Sequence, residues 1–275
     1  MNTTPSPLAQ RLAASATFAM VQKAAELRAA GIDVISMSVG EPDFATPDYI
    51  KEAAHKAIDE NYSKYSPVTG YMWLREAVCK KLKNENNLDY TPAEIIISNG
   101  AKQALSTVVM AIAGPGDEVI VPTPCWVSYT EMVKLAGATP VSVHAGIEQD
   151  FKITAAQLEA AITPKTTAIM PVHCYGKPCD VRAIKEIADK YGLKVIYDAA
   201  HAFALEIPKN EADYKVAFDD AHNALTPSDS LTRGHVDSLT PVETESILNW
   251  GDISTLSFHA TKVYNTIEGG AMIMH

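Results

Sequence analysis

The sequence predicts an α/β fold built on a mostly parallel sheet of seven strands, with helices on both faces. Three observations carry that expectation. Short apolar, β-branched runs recur from the first third of the chain onward, and helical patterns with legible ends lie between them. Nearly half of the 275 residues (47%) are apolar, enough for one large core. Runs that are apolar throughout suit strands buried on both faces.

The elements follow in order. "TPDYIKEAAHKAI" reads as a helix with a Thr46 cap and Pro47 in its first turn. "EIIIS" is the first strand, and it leads through an Asn99-Gly100 turn into the helix "GAKQALSTVVMAIAG". "DEVIVP" and "TPVSVH" are the next two strands. "TAAQLEAAI" opens on a capping box from Thr154 to Gln157. "TTAIMPVH" is a fourth strand, and "DVRAIKEIADKYG" a helix running from Asp180 to a Gly192 stop. "LKVIYD", "ISTLSF" and "GAMIM" complete the set. Residues 207–245 break this rhythm: the stretch is acidic, strewn with turn-formers and without sustained periodicity. It separates two strands that otherwise read as neighbours, so a flexible or loosely helical surface insertion is expected there. There is no internal repeat.

The formal net charge of −10 speaks against a nucleic-acid or acidic-membrane partner. The chain opens polar and then amphipathic, without a signal-like stretch, and no run is long and apolar enough to span a bilayer. Cys79, Cys125, Cys174 and Cys179 lack paired C-x-x-C spacing, which suits free thiols in a reducing compartment. A cytoplasmic location is therefore expected. A metal site made of His173, Cys174, Cys179 and His201 is the competing reading of the cysteines.

In open parallel sheets ligands bind beyond the carboxyl ends of the strands, and the polar residues of this sequence fall there. The turn at Gly100 exposes helix N–H groups that favour an anion such as phosphate. Asp198 ends one strand, with His201 three residues on. Trp126 stands at the mouth of another strand, where it could stack on a planar ligand. "ISTLSFHATK" adds Ser257, His259 and Lys262. A lysine following a buried strand loses its proton cheaply, and such an amine can condense with a carbonyl. Taken singly, these are an ordinary turn, a capping aspartate, a core tryptophan and a surface lysine. Together they are the parts that a pyridoxal phosphate site needs.

The phrases carry a double resemblance. Up to about Thr166, "ISMSVGEPDFATPDYIKEAA", "YSKYSPVTGYMWLREAV", "IIISNGAKQAL" and "GPGDEVIVPTPCWVSYTEMVKLAGATPV" resemble the bacterial class I aspartate aminotransferases. From about Met170, "PVHCYGKPCDVRAIKEIADKYGLKVIYDAAHAF" and "GDISTLSFHATKVYNTIEGGAMI" resemble the DegT-type sugar aminotransferases. Both families share the fold-type I pyridoxal phosphate architecture. The resemblance implies an N-terminal arm and small-domain remnant over 1–45 and a cofactor-binding large domain over 46–275, the C-terminal small domain being absent.

The same resemblance implies roles. The amides of Gly100, Ala101 and Lys102 would hold the phosphate, Trp126 would cover the ring, and Gly40 would line the substrate carboxylate. Tyr65 would reach the phosphate of the partner subunit in a homodimer. Asp198 would pair with the ring nitrogen, His201 would lie near the ring hydroxyl, Ser257 would touch the phosphate, and Lys262 would carry the aldehyde as the catalytic residue. "HCYGKP" stands where class I enzymes carry an Asn-Pro turn. The implied activity is amino-group transfer between a donor such as aspartate or glutamate and a keto acid or keto sugar. The alternative is a protein that binds the cofactor but is catalytically idle.

Overall fold

The computed structural model describes residues 4–37, 44–202, 205–214, 243–257 and 270–274. The helices are α1 (Pro7–Gln10), α2 (Ala16–Ala29), α3 (Asp48–Asp59), α4 (Met72–Asn86), α5 (Gly100–Ile112), α6 (Ser128–Leu135), α7 (Ala155–Ala160) and α8 (Val181–Tyr191). The strands are β1 (Ile95–Ser98), β2 (Glu118–Thr123), β3 (Thr139–His144), β4 (Thr166–Ile169), β5 (Lys194–Asp198), β6 (Glu206–Pro208), β7 (Thr244–Ser246), β8 (Ile253–Ser257) and β9 (Gly270–Met274). All seven expected runs form strands of one sheet, in the order β1-β9-β8-β5-β4-β2-β3.

Each neighbouring pair in that sheet is parallel except the two that involve β9. Because β9 runs against both β8 and β1, β1 points the same way as the rest. The carboxyl ends of β1, β2, β4, β5 and β8 therefore share one edge of the sheet. That edge is where the chemistry-bearing residues were expected.

Both faces of the sheet are buried, and the period of two along each strand decides which residue serves which face. Val119, Val121, Ile196 and Met272 join the core beneath α5 and α6, with Leu105, Val109 and Val133. Ile120, Val195, Tyr197 and Ile273 join the opposite core, with Leu82, Leu158 and Val181. Fully burying one such aliphatic side chain contributes about 2 kcal/mol. α5 crosses the sheet in contact with β9, β8 and β5 and packs on α6, so one helix spans the middle of the platform.

Two local expectations need correction. Thr46 does not cap α3: Pro47 occupies the N-cap, with φ −53° and ψ 141°, and no side chain caps the helix. Asp48 instead supplies the negative charge in the first turn. The run "TTAIMPVH" is strand only as far as Ile169, because Pro171 has no N–H to continue the ladder. The pairing resumes as a single parallel bridge between Val172 and Asp198. The capping box at Thr154 and the helix from Asp180 to a left-handed Gly192 form as expected.

β5 and β8 are parallel neighbours despite the insertion between them. Its two ends form an antiparallel ribbon, β6 with β7. Arg182 in the first turn of α8 donates to the carbonyls of Pro208 at 2.8 Å and Lys209 at 2.7 Å, and pairs with Glu211 at 2.6 Å. Its guanidinium also lies 4.2 Å over the Tyr214 ring. The Tyr214 hydroxyl donates to Asp180 and accepts from the Val181 amide, both at 3.1 Å. Of the 207–245 stretch expected to be flexible, residues 215–242 lie outside the described residues.

Ile196 is wholly buried, so Ile196→Ala should cost roughly 2–5 kcal/mol of unfolding free energy, read from the shift in urea midpoint. Thr154→Ala should cost about 1 kcal/mol through its lost cap. Thr46→Ala should stay within about 0.5 kcal/mol, since no cap is broken there.

Candidate functional site

The site is laid out along the shared carboxyl edge. β1 ends at Ser98, and α5 starts at Gly100, which is buried with φ +81°. A side chain with a Cβ adopts that conformation only at a cost, so glycine is what lets the chain turn there into the helix. The Asn99 amide donates to Gln103 Oε1 at 2.6 Å, holding the turn against the first coil of α5. Gly100, Ala101 and Lys102 thus present the amino end of a thirteen-residue helix at the edge.

Trp126 follows β2 and is 40% exposed, so it is not a core tryptophan. The Lys102 ammonium lies 4.7 Å over its ring. Tyr129, one helical turn further on, meets the indole edge-to-face with centroids 5.5 Å apart. Its hydroxyl donates to Asp198 Oδ2 at 2.7 Å inside the core. Burial first, and then the adjacent Asp198 charge, push the Tyr129 phenol well above its ordinary range, so it remains a donor.

Asp198 is only 5% exposed, and every polar part of it is engaged. Oδ1 accepts from the Ala200 amide at 2.9 Å. Its own amide donates to Pro171 O at 3.0 Å, and its carbonyl accepts from the His173 amide at 3.1 Å. No helix follows among the described residues, so this carboxylate is not a helix cap. Next to it, His201 is exposed and stacks on Tyr175, with centroids 5.5 Å apart and planes 7° from parallel. The Tyr175 amide donates to His201 Nδ1 at 3.2 Å.

His173 lies under the site rather than in it. The ring is 1% exposed, stacks on Tyr197 with centroids 4.5 Å apart, and accepts the Cys179 amide on Nδ1 at 3.2 Å. Burial pushes its pKa down to about 3. The Cys179 thiol donates to Val172 O at 3.0 Å and is pushed up to about 12 by burial. Two of the four residues of the metal reading thus use their polar atoms on neighbouring backbone. Among the described residues, no group of three His, Cys, Asp or Glu is arranged to hold a metal ion.

A chain of contacts therefore joins Lys102, Trp126, Tyr129 and Asp198. Ser257 ends β8, two residues beyond Thr255, the register partner of Asp198. Tyr65 is fully exposed, and Tyr62, Tyr71 and Trp73 form an aromatic group among themselves. Lys262, His259 and Gly40 lie outside the described residues. Tyr129 escaped the sequence reading. Its spacing of three from Trp126 was the available signal, since it puts both rings on one side of a helical turn.

This sheet order, with a helix amino end, a flat aromatic and a buried carboxylate along one edge, is that of the fold-type I aminotransferase large domain. The aspartate aminotransferase of Thermus thermophilus, solved with maleate, superposes with a TM-score of 0.74 at 31% identity, covering 98% of this chain and 64% of that one. The model of the DegT/DnrJ/EryC1/StrS aminotransferase family matches residues 89–275, and the chain belongs to that family. The aspartate/prephenate aminotransferase of Cereibacter sphaeroides is 55% identical over 156 residues, 57% of this chain and 39% of that protein. The aspartate aminotransferase of Geobacillus stearothermophilus is 46% identical over 201 residues, 70% of this chain and 51% of that protein. A probable aspartate/prephenate aminotransferase of Rhizobium leguminosarum is 43% identical over 235 residues, 86% of this chain and 54% of that protein. The chain spans about half the length of the curated relatives it matches. The two likenesses overlap well upstream of Met170, as homologous families sharing one sheet must.

Tyr129→Phe leaves a buried carboxylate one donor short and should cost roughly 1.5–3 kcal/mol, measured by chemical denaturation. His173 gives a pH signature. Below its unfolded value of 6.5 the unfolded chain takes up a proton that the folded chain declines until about pH 3. Stability should therefore fall with pH through that window by about 1.4 kcal/mol per unit, and His173→Gln should remove this part of the slope.

Proposed function

We propose that the chain is a pyridoxal phosphate-dependent aminotransferase, moving an amino group between a donor such as aspartate or glutamate and a keto acid or keto sugar. The observation that carries this is Asp198. It is a buried carboxylate met by two neutral donors, and it pairs with no Lys, Arg or His among the described residues. A carboxylate in such a place calls for a positive partner. A protonated pyridine nitrogen is one, and the residues around Asp198 fit it.

On this reading the amides of Gly100, Ala101 and Lys102, with the Ser257 hydroxyl, hold the phosphate at the positive end of α5. Trp126 covers the ring, and His201 faces its hydroxyl. Asp198 keeps the ring nitrogen charged by a close opposite charge. The bound cofactor supplies an electron sink for the charge left on the amino acid Cα. Lys262 holds the aldehyde and then carries the Cα proton as base and acid. Gly40 lines the substrate carboxylate. The names of the curated relatives support aspartate as the donor.

The reading includes a homodimer in which Tyr65 reaches the partner's phosphate. Its support is the exposure of large apolar side chains in this stretch, with Tyr65 and Val68 at 105% and 99% and Tyr62 and Trp73 at 50% and 55%. It also includes a cytoplasmic location, which suits four free cysteines.

Purified protein mixed with pyridoxal phosphate should gain a visible absorbance band that shifts on adding aspartate or glutamate. A band that never shifts would mean a cofactor binder that transfers nothing. Borohydride reduction and peptide mapping should label Lys262; a label on Lys102 or Lys177 would sink that assignment. Asp198→Ala should weaken cofactor binding by about ten- to a hundredfold, the loss of one charge-assisted contact, measured by fluorescence titration.

A further inference from the structure

The Tyr175–His201 pair has a geometry that the proposed function leaves unexplained. Tyr175 follows β4 with φ 54° and ψ 31°, in the left-handed region, and Gly176 follows with φ 75°. A residue with a Cβ is disfavoured there. The side chain gains little from burial in exchange, since Tyr175 is 88% exposed. What the conformation achieves is to set the ring and the amide of one residue on the same histidine: the amide donates to His201 Nδ1 at 3.2 Å while the two rings lie 7° from parallel. Gly176 lies beside the same histidine: a Cβ there would be in ordinary contact with the His201 carbonyl, at 3.7 Å.

A neutral imidazole has one nitrogen that carries a proton and one that accepts. An amide donating to Nδ1 makes Nδ1 the acceptor, and the proton must then sit on Nε2. The loop 174–176 is thereby a device that sets which nitrogen of His201 is the donor. The ring stack restrains the imidazole plane, so the donor has a direction as well as an identity.

We propose that Tyr175 is a positioning residue, whose left-handed backbone amide locks His201 as the Nε2–H tautomer and so aims a hydrogen-bond donor at the oxygen beside the buried Asp198 carboxylate. This rests on the cofactor reading above, in which that oxygen is the ring hydroxyl. A donor at Nε2 stabilises the oxygen in its anionic form, whereas an Nδ1–H tautomer would present a lone pair to it and repel it. The backbone supplies the donor, and the tyrosine ring supplies only the orientation.

The test is the tautomer itself, read by nitrogen-15 NMR of histidine-labelled protein without cofactor, at a pH where imidazole is neutral. His201→Gln assigns the signal. Free histidine side chains already favour Nε2–H, so the decisive comparison is between backbones. The unmodified chain should show no detectable Nδ1–H form at His201. An amide-to-ester replacement at residue 175, which deletes the N–H and keeps the tyrosine ring, should let that form become measurable. Tyr175→Gly, which adopts the left-handed conformation freely and keeps the amide, should retain the Nε2–H form without the stack. A tautomer mixture in the unmodified chain, or an ester variant that leaves the tautomer unchanged, would overturn the proposal. So would a Tyr175→Gly chain that loses the bias, because the ring and not the amide would then be responsible. The readout needs no bound cofactor, so failure of the cofactor reading registers separately, as a missing absorbance band.

Discussion

A buried carboxylate has to be met by donors, and the way Asp198 is met ties together segments far apart in the chain. Tyr129 reaches it from α6, Ala200 from the following turn, and His173 and Pro171 grip its backbone from the end of β4. Tyr129 also fixes Trp126 at its edge. The carboxylate and the flat aromatic are therefore set relative to each other by one phenol, and α5 is set relative to both through its packing on α6. Charge satisfaction in the core and geometry at the surface are the same requirement here.

The strands were legible because a strand buried on both faces needs an unbroken apolar run, and few other elements do. The helix limits at Thr154, Asp180 and Gly192 were legible because capping is local chemistry. What failed was decided by a competing local rule or by distance. Proline at position 47 takes the cap from Thr46, and Pro171 ends β4 early. The positions of Gly100, Trp126, Asp198 and Ser257 at or just beyond strand ends were legible, because the sequence displays strand ends directly. Tyr129 was not, since its value depends on a partner 69 residues away in the chain. Likewise nothing in "HCYG" announces that a backbone amide will be turned toward a histidine on the next strand's loop.

The ladder between β2 and β4 carries one irregularity. Glu118 pairs with Thr166 but Val119 pairs with Ala168, so the ladder between β2 and β4 slips by one residue. Thr167 falls at the slip, and its hydroxyl donates to Glu118 O at 3.4 Å. On the other side β4 pairs with β5 without a shift. A one-residue slip would turn every later side chain to the wrong face were it not absorbed locally. Here Ala168 and Ile169 still serve opposite cores.

The ribbon of β6 and β7, pinned by Arg182 and Tyr214, has a consequence for how the protein can be altered. Its two strands lie in register with each other and with their ends side by side, so the chain between them starts and finishes at one base. Changing the length of a segment closed in this way by a factor of two alters its closure free energy by only about 0.6 kcal/mol. That makes the base of the ribbon a natural port for a grafted reporter or affinity module, which would enter and leave the chain at one place.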